Sequence, residues 1–300
     1  MNELKKASLI TAIKTPYKPN GKFDLKAFDF IAERQIAGGC QGFVIGGTTG
    51  EGHLMDWEEH LILIAHAVNK YGSKVVIIGN TGSNNTKEAK RATEEGFMIG
   101  MDASLQVNPY YGKTSDEGLL AHFNEVLKFG PAFIYNVPSR TGQDIKPEIM
   151  REIAKHQNFV GVKECTGPQR IADYEAEGIA CWSGNDDDFH QSYHESKSHG
   201  VISVTAHVAP MTFRYLLDNK DEALNKSLTP LFTWMFSEPN PICLNTLLPM
   251  MGHCQPVFRL PYVPVGKAAR KEIVALLASL KTKDEIAPLN QMDDGDFVVV

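Results

Sequence analysis

The chain repeats one pattern about eight times: a short apolar run, a polar or glycine-rich loop, and a longer amphipathic segment. Short apolar runs bounded by turn residues predict strands, and the amphipathic segments predict helices. Strands that alternate with helices predict a parallel sheet, because each helix carries the chain back across one face of the sheet. Eight such units are typical of a closed (β/α)8 TIM barrel, which is the predicted fold class (α/β), and an open doubly wound sheet is the alternative.

The predicted strands cover residues 8–13, 42–45, 75–78, 104–107, 132–135, 159–163, 180–183 and 200–204. The predicted barrel helices cover residues 24–36, 57–68, 86–95, 117–129, 148–156, 169–177, 189–196 and 208–217, and Asn85 and Glu88 are spaced like a capping box. After residue 220 the strand pattern ends, and helices are predicted over 222–236, 241–250 and 265–280. We therefore expect a barrel over residues 1–220 that carries the active site and a C-terminal helical extension over 221–300, whose tail 291–300 receives no assignment.

Composition excludes several classes of function. The formal net charge is −6 and no basic stripe occurs, so a nucleic-acid surface is not expected. The five cysteines are widely spaced, odd in number and without a CxxC pair, which argues against a disulfide framework or a structural zinc. No apolar run approaches the ~20 residues of a membrane span, and residues 1–8 are polar, so we expect a cytoplasmic protein.

A lysine ends the sixth predicted strand, which reads Phe159-Val160-Gly161-Val162-Lys163. Gly161 and Lys163 share one face of this strand, because side chains alternate along a strand. Burial would lower the pKa of the Lys163 amine, and a neutral amine can attack a carbonyl and form a Schiff base. The alternative is a lysine at a strand end that extends its charged tip to water.

The other unusual residues also follow predicted strands. They are Thr48 and Thr49 after the second, Tyr110 and Tyr111 after the fourth, Tyr135 and Arg140 at and after the fifth, and Gly184 after the seventh. In a barrel of parallel strands these positions meet at one face, where barrel enzymes place their active sites. The acidic run at 186–188 is interpreted as a solvated helix start rather than a metal site, because acids favour helix N-termini, and no metal ligands are predicted.

Five segments carry a resemblance to a known family. They are Gly47-Thr48-Thr49-Gly50-Glu51, Asn108-Pro109-Tyr110-Tyr111, Tyr135-Asn136-Val137-Pro138-Ser139-Arg140-Thr141-Gly142, Gly161-Val162-Lys163-Glu164 and Gly200-Val201-Ile202-Ser203-Val204-Thr205. In this order and at these separations the chain resembles the dihydrodipicolinate synthase family over most of its length. Trp57, Gly79-Asn80-Thr81-Gly82 and Phe258-Arg259-Leu260-Pro261-Tyr262 resemble the plant-type branch of that family.

The resemblance implies a lyase that condenses pyruvate with L-aspartate β-semialdehyde to give 4-hydroxy-tetrahydrodipicolinate, the first committed step of the diaminopimelate route to lysine. Lys163 would form the Schiff base with pyruvate, so no cofactor is implied. Tyr135 would move protons through Thr48 and through Tyr111 of a neighbouring subunit, so an oligomer is expected, and the resemblance implies a homotetramer built from dimers. Taken alone, Tyr135 could instead be an aromatic residue that fills the barrel.

The resemblance also assigns the substrate contacts. Thr49 would bind the carboxylate of pyruvate, Gly184 and Ile202 would line the pocket, and Arg140 would bind the carboxylate of the second substrate. From the residues alone, the threonine loop could be a plain turn and Arg140 could form a surface ion pair. Glu164 should face away from Lys163 and is interpreted as structural.

A regulatory site for L-lysine is implied as well, which would make the enzyme feedback-inhibited. Its members would be the backbone around His53 and the side chains of Trp57, His60, Asn84, Glu88 and Tyr110. Glu88 could pair with an amino group and Trp57 could cover the aliphatic stem, but Trp57 and His60 could also be packing residues on one helix face.

Other functions remain open from the sequence. A related pyruvate-dependent aldolase would act on sialic acid or on keto-sugar acids, and a non-catalytic barrel would only bind pyruvate or lysine. The plant-type features allow a processed protein of the plastid stroma as the alternative to the cytoplasm.

Overall fold

The computed structural model describes residues 2–300 and contains a closed barrel of eight parallel strands in sequential order. The strands are β1 (Leu9–Ala12), β2 (Gly42–Ile45), β3 (Val76–Gly79), β4 (Ala103–Val107), β5 (Ala132–Asn136), β6 (Phe159–Glu164), β7 (Cys181–Ser183) and β8 (Gly200–Ser203). The barrel closes where β1 pairs with β8, with Ile10 opposite Ile202. The predicted barrel is confirmed and the open sheet is excluded, and each predicted strand end lies within one residue of the observed one.

Helices surround the barrel and then continue into the extension. In and around the barrel they are α1 (Asn2–Lys6), α2 (Leu25–Ala37), α3 (Trp57–Tyr71), α4 (Thr86–Ile99), α5 (Asp116–Val126), α6 (Pro138–Thr141), α7 (Pro147–Ile153), α8 (Pro168–Ala176), α9 (Phe189–His194) and α10 (Pro210–Asp218). The extension contains α11 (Glu222–Ser227), α12 (Thr229–Met235), α13 (Ile242–Met250), α14 (Lys267–Ser279) and the parallel pair of β9 (Val257–Phe258) and β10 (Val298–Val299). No helix within residues 2–300 has the length and apolar character that crossing a membrane requires.

Two local predictions were wrong in detail. The single helix predicted over 222–236 is divided into α11 and α12 at Leu228, and Pro230 lies in the first turn of α12. Proline lacks an N–H and its ring clashes with the preceding turn, so it starts a helix more readily than it continues one. At the start of α4 the Asn85 side chain accepts from the N–H of Lys87, but the N–H of Asn85 donates to Ser83 instead of Glu88, so the capping box is incomplete.

The interior of the barrel is filled at its N-terminal end. Apolar side chains from all eight strands form one buried cluster, which Leu4 and Ala7 close from below. Within it the rings of Phe133 and Trp182 meet edge to face, with centroids 4.9 Å apart. The Trp182 indole N–H donates to the Ala7 carbonyl at 2.7 Å, so its polar atom is satisfied. The barrel is therefore accessible from the opposite end, where the strands finish.

The extension packs against the barrel and its tail returns along it. Apolar residues of α12, α13 and α14 join the buried cluster between the barrel strands and helices α2 and α3. Farther on, the Asp284 carboxylate accepts from the N–H groups of Met211 and Thr212 at the start of α10. The tail that received no sequence assignment ends as β10, which pairs with β9. The last twenty residues therefore contact the start of α10 and an edge of the extension.

Candidate active site

Lys163 lies inside the barrel near the end of β6 and is only 6% exposed. Its Nζ is 4.4 Å from the ring centroid of Tyr135, which lies opposite it on the neighbouring strand β5. Burial is the largest effect and lowers the pKa of the amine to about 8; Cys165 opposes this shift, and the nearby charge of Arg140 adds to it. Lys163 is therefore a buried lysine that can lose its proton near neutral pH, and it does not extend its tip to water.

Tyr135 is as buried as Lys163, and burial raises the pKa of its hydroxyl. The hydroxyl is therefore protonated at neutral pH and can donate a proton to a developing oxyanion. The side chains of Cys165 and Thr48 interact with this hydroxyl, with opposite effects on its pKa. Tyr135 also lines an open cavity of about 470 Å³, so it does more than fill the barrel.

The threonine loop follows β2 and makes a tight turn. Gly46 has a φ of +65°, and a Cβ there would lie 1.8 Å from the ring of His60, so only glycine fits. Thr49 is buried, and its hydroxyl accepts from the Asn240 side-chain amide at 3.0 Å. Thr48 is half-buried and faces the same cavity as Tyr135. The threonine loop is therefore held in place by a contact with the extension, unlike a plain surface turn.

Room around the lysine is provided by a second glycine. A Cβ at Gly184 would lie 2.3 Å from the sulfur of Cys165 and 3.0 Å from Cε of Lys163. Ile202 is fully buried on β8. Sequence analysis missed Cys165, although it lies two residues beyond Lys163 and so shares its strand face. Burial raises the pKa of this thiol to about 12, which keeps it neutral beside the amine.

Arg140 is exposed at the rim of the cavity, on the short helix α6. Its guanidinium donates to the carbonyl of Asn240 at 3.5 Å. Within residues 2–300 no carboxylate forms an ion pair with it, so the alternative of a surface ion pair is not observed. The planar guanidinium of Arg140 can donate two parallel hydrogen bonds, so it is suited to binding a carboxylate that enters the cavity.

The two tyrosines after β4 lie differently. Tyr110 lines the cavity, and its carbonyl accepts from the Asn84 side chain at 3.2 Å. Tyr111 is 95% exposed and has a φ of +68°, in the left-handed region that bulky residues rarely adopt. Within one chain the structure does not bring Tyr111 to Tyr135.

Four of the six residues expected to bind lysine line the cavity that Tyr135 lines, and Asn84 and Glu88 do not. Trp57 stacks on His60 with ring centroids 5.4 Å apart and planes 7° apart, which is also what packing residues would do. Burial lowers the pKa of His60 to about 4, so its imidazole is neutral. The His53 ring nitrogen lies 2.8 Å from the Tyr262 hydroxyl, and Glu88 is half-buried on α4. His53, Trp57, His60 and Tyr110 line the same cavity as Tyr135.

The acidic run at 186–188 after β7 is not the solvated helix start that the sequence predicts. Asp186 is 1% exposed, and its carboxylate accepts from the N–H groups of Val204 and Thr205. Burial raises its pKa. Only Asp187 is exposed, and Asp188 is the half-buried N-cap of α9. No group of three or more potential metal ligands occurs among residues 2–300.

Glu164 lies as interpreted, on the outer side of β6. It is fully buried and accepts from the side chain of Asn136 and from the N–H groups of Cys165 and Thr166. Sequence analysis missed the residues of the extension that reach the site, Asn240 and Tyr262. They follow Thr49 and His53 by about two hundred residues. Tyr262 lies in the segment at 258–262 that resembles the plant-type branch, and the prolines that flank Asn240 mark it as a turn residue.

Comparisons with known proteins agree with this geometry. The sequence profile of the dihydrodipicolinate synthetase family matches residues 5–280. A Nicotiana tabacum protein named "4-hydroxy-tetrahydrodipicolinate synthase, chloroplastic" is 52% identical over 302 residues, which cover 100% of this chain and 84% of the tobacco protein.

Two solved structures are similar to the whole barrel. The chloride-inhibited dihydrodipicolinate synthase from Acinetobacter baumannii, in complex with pyruvate, has a TM-score of 0.86 and 33% identity, and the match covers 91% of this chain and 98% of that one. The lysine-bound enzyme from Cyanidioschyzon merolae also has a TM-score of 0.86, at 28% identity, with coverage of 91% and 98%.

Proposed function

Because the chain belongs to the dihydrodipicolinate synthetase family and is a carbon–carbon lyase, we propose that it condenses pyruvate with L-aspartate β-semialdehyde to give 4-hydroxy-tetrahydrodipicolinate. This reaction is the first committed step of the diaminopimelate route to lysine. The observation that carries the proposal is the buried Lys163 amine, with its pKa of about 8, beside the protonated hydroxyl-bearing ring of Tyr135. The pyruvate complex of the similar Acinetobacter enzyme supports pyruvate as the first substrate.

In the first step the neutral Lys163 amine attacks the ketone carbon of pyruvate. Tyr135 donates a proton to the ketone oxygen, which leaves as water when the carbon–nitrogen double bond forms. The lowered pKa matters, because at pH 7 roughly a tenth of an amine with a pKa of 8 is neutral, compared with about one in three thousand at a pKa of 10.5. Thr48 and Tyr111 of a neighbouring copy would carry the proton that Tyr135 then needs.

In the second step the imine nitrogen withdraws electrons from the former pyruvate methyl group. Loss of a methyl proton gives an enamine, and its carbon attacks the aldehyde carbon of the second substrate to form the new carbon–carbon bond. The proton returns to the aldehyde oxygen, again through Tyr135. The amino group of the second substrate can then displace Lys163 and close the ring. The lysine nitrogen is the electron sink, so this scheme uses no cofactor.

Of the four proposed substrate contacts, only Arg140 lines the cavity described above. Thr49 and the N–H groups of its loop would bind the carboxylate of pyruvate, with Gly184 and Ile202 beside it. Arg140 would bind the carboxylate of the aldehyde substrate, since its guanidinium is exposed at the rim. In this scheme residues 1–220 carry the catalytic groups, and residues 221–300 support them through Asn240.

The quaternary structure and location belong to the same proposal. An exposed Tyr111 in a strained backbone conformation is suited to completing the site of another copy, in a homotetramer built from dimers. We infer a cytoplasmic protein, or a protein of the plastid stroma if the chain is processed from a plant precursor. The chloroplastic tobacco relative supports the second location.

The choice of aldehyde tests the proposed function. With pyruvate fixed, we expect kcat/KM for L-aspartate β-semialdehyde to exceed that for sugar aldehydes such as N-acetylmannosamine by about a hundredfold or more, because a carboxylate paired with Arg140 is worth roughly 3 kcal/mol. Steady-state rates with each aldehyde measure this. A preference for the sugar aldehyde would indicate the related aldolases, and pyruvate binding with no turnover would indicate a binding barrel.

Inhibition by L-lysine tests the regulatory site. We expect Glu88→Gln to raise the half-inhibitory concentration of L-lysine about tenfold or more, because the variant loses a charged partner for an ammonium group. Glu94→Gln is the matched control, since Glu94 is exposed on the same helix. Titration of L-lysine in the steady-state assay measures both. Wild-type activity that is unchanged at millimolar L-lysine would contradict the site, and equal effects of the two variants would remove Glu88 from it.

A further inference from the structure

A charged pair lies buried beneath the threonine loop, and the mechanism above does not use it. The Lys14 ammonium and the Glu51 carboxylate form an ion pair, and the two side chains are 2% and 0% exposed. Removing two charges from water is costly, so a buried pair is weak evidence for stability and apolar residues often replace one without loss. The position of this pair in the active-site loop therefore needs another explanation.

Glu51 closes the loop that carries the two threonines. Its φ is +60°, in the left-handed region that non-glycine residues seldom adopt, and its N–H donates to the carbonyl of Thr48 at 3.1 Å. The Glu51 side chain extends inward from this turn, where one oxygen meets Lys14 and the other accepts from the Asn245 side-chain amide at 3.1 Å. The turn is thus fixed by its side chain as well as by its backbone.

Lys14 connects this turn to the first barrel strand. It follows β1, between Ile13 and Thr15, and its N–H donates to His207 at 3.0 Å. The Thr15 hydroxyl donates to the Gly50 carbonyl at 2.6 Å, and a Cβ at Gly50 would lie 2.8 Å from the carbonyl of Ile13. The end of β1 therefore supports the loop from one side while α13, through Asn245, supports it from the other.

We propose that Lys14, Glu51 and Asn245 are positioning residues that set the orientation of Thr48 and Thr49, and through them the affinity for the carboxylate of pyruvate. None of the three needs to contact the substrate. The inference rests on the proposed function, because it takes the threonine loop as the pyruvate site. A buried pair in such a place restricts the loop to one conformation, which an apolar pair of the same volume would do less well.

Substitutions that remove these charges separate an effect on loop position from an effect on stability. In Glu51→Gln the Lys14 ammonium is left buried without a counter-charge, so we expect a lower Tm together with a pyruvate KM raised about tenfold or more. In the double variant Lys14→Met/Glu51→Gln no unpaired charge remains, so the Tm should recover. Its pyruvate KM should stay raised about tenfold, since the ion pair no longer holds the turn. A double variant with wild-type Tm and wild-type KM would overturn the proposal.

A milder variant keeps the test decisive if the charge variants do not fold. Asn245→Ala leaves the ion pair intact and removes one hydrogen bond, so the pyruvate KM should rise about three- to tenfold with a small change in kcat. Asn225→Ala, on α11 of the extension, is the matched control and should leave KM unchanged. An unchanged KM in Asn245→Ala would also overturn the proposal.

Borohydride trapping and the KM for pyruvate distinguish the role of Lys163 from the role of the ion pair. If borohydride traps no pyruvate adduct at Lys163 in the wild-type protein, the proposed function fails. If the wild type forms the adduct and the variants of Lys14, Glu51 and Asn245 keep the wild-type KM for pyruvate, only the positioning role fails.

Discussion

Replacing Lys163 by methionine should lower turnover with pyruvate by about four orders of magnitude or more, and it should raise the stability of the fold at the same time. The loss follows because, among residues 2–300, no other buried amine faces Tyr135, and covalent catalysis through an enamine stops without the nucleophile. Steady-state assays and mass analysis after borohydride reduction measure this part. The variant should show no pyruvate adduct.

The gain in stability follows from the pKa of the same group. Burial lowers the pKa of Lys163 to about 8 in the folded protein, against 10.5 as its ordinary value. The folded state therefore disfavours the protonated amine, and this penalty is fully present below about pH 8 and disappears as the pH rises toward 10.5. Methionine has a similar length and no charge, so Lys163→Met should raise the free energy of unfolding at pH 7 by about 1–3 kcal/mol.

Two pH series test the nucleophilic role and the pKa of Lys163. Wild-type imine formation should become about tenfold faster per pH unit up to roughly pH 8 and then level off, because the neutral amine is the nucleophile. The difference in Tm between the variant and the wild type should shrink as the pH approaches 10.5. Residual activity of the variant above about a hundredth of wild type would contradict the role of Lys163.

Replacing Tyr135 by phenylalanine should lower kcat by about two to four orders of magnitude, which is the usual contribution of a general acid and base. The ring that lies 4.4 Å from Lys163 is retained, so packing around the amine should be preserved. Proton transfer to the ketone oxygen would then depend on water. Steady-state kinetics measure the loss, and borohydride trapping should still find a slowly formed adduct at Lys163.

A second buried tyrosine provides the control. Tyr174 lies on α8, is fully buried and has a hydroxyl whose pKa is also raised by burial. It lies outside the cavity that Tyr135 lines. Tyr174→Phe should therefore keep kcat within about twofold of wild type. A Tyr135→Phe variant within tenfold of wild type would show that another group handles the protons.

The fold could be predicted because its signals are local. Each strand is a short apolar run that ends at glycine or a polar turn, and the order of strands in a barrel repeats their order in the chain. The inward direction of Lys163 follows from the two-residue period of β6, and its pairing with Tyr135 follows from β5 and β6 being neighbours. Hence the centre of the site is accessible to reasoning from the sequence.

The parts that could not be predicted depend on distant contacts. Asp186 belongs to an acidic run that is typical of a solvated helix start, but the N–H groups of Val204 and Thr205 donate to its carboxylate inside the fold. Asn240 and Asn245 reach the threonine loop from positions about 190 residues away in the chain. No periodicity or motif links such positions, since the contacts form only when the extension has packed against the barrel.

Trp182 and Phe133 block the lower end of the barrel, and this has a consequence for the order of events. On the proposed function, both reactants and the product would reach and leave Lys163 from the opposite end of the barrel, where the strands finish. If Arg140 at the rim binds the aldehyde substrate, the keto acid would have to enter first, because the bound aldehyde would obstruct the path to the amine. The heterocycle must also depart before the next keto acid can arrive, so an excess of the second reactant should slow the enzyme by occupying an empty site too early.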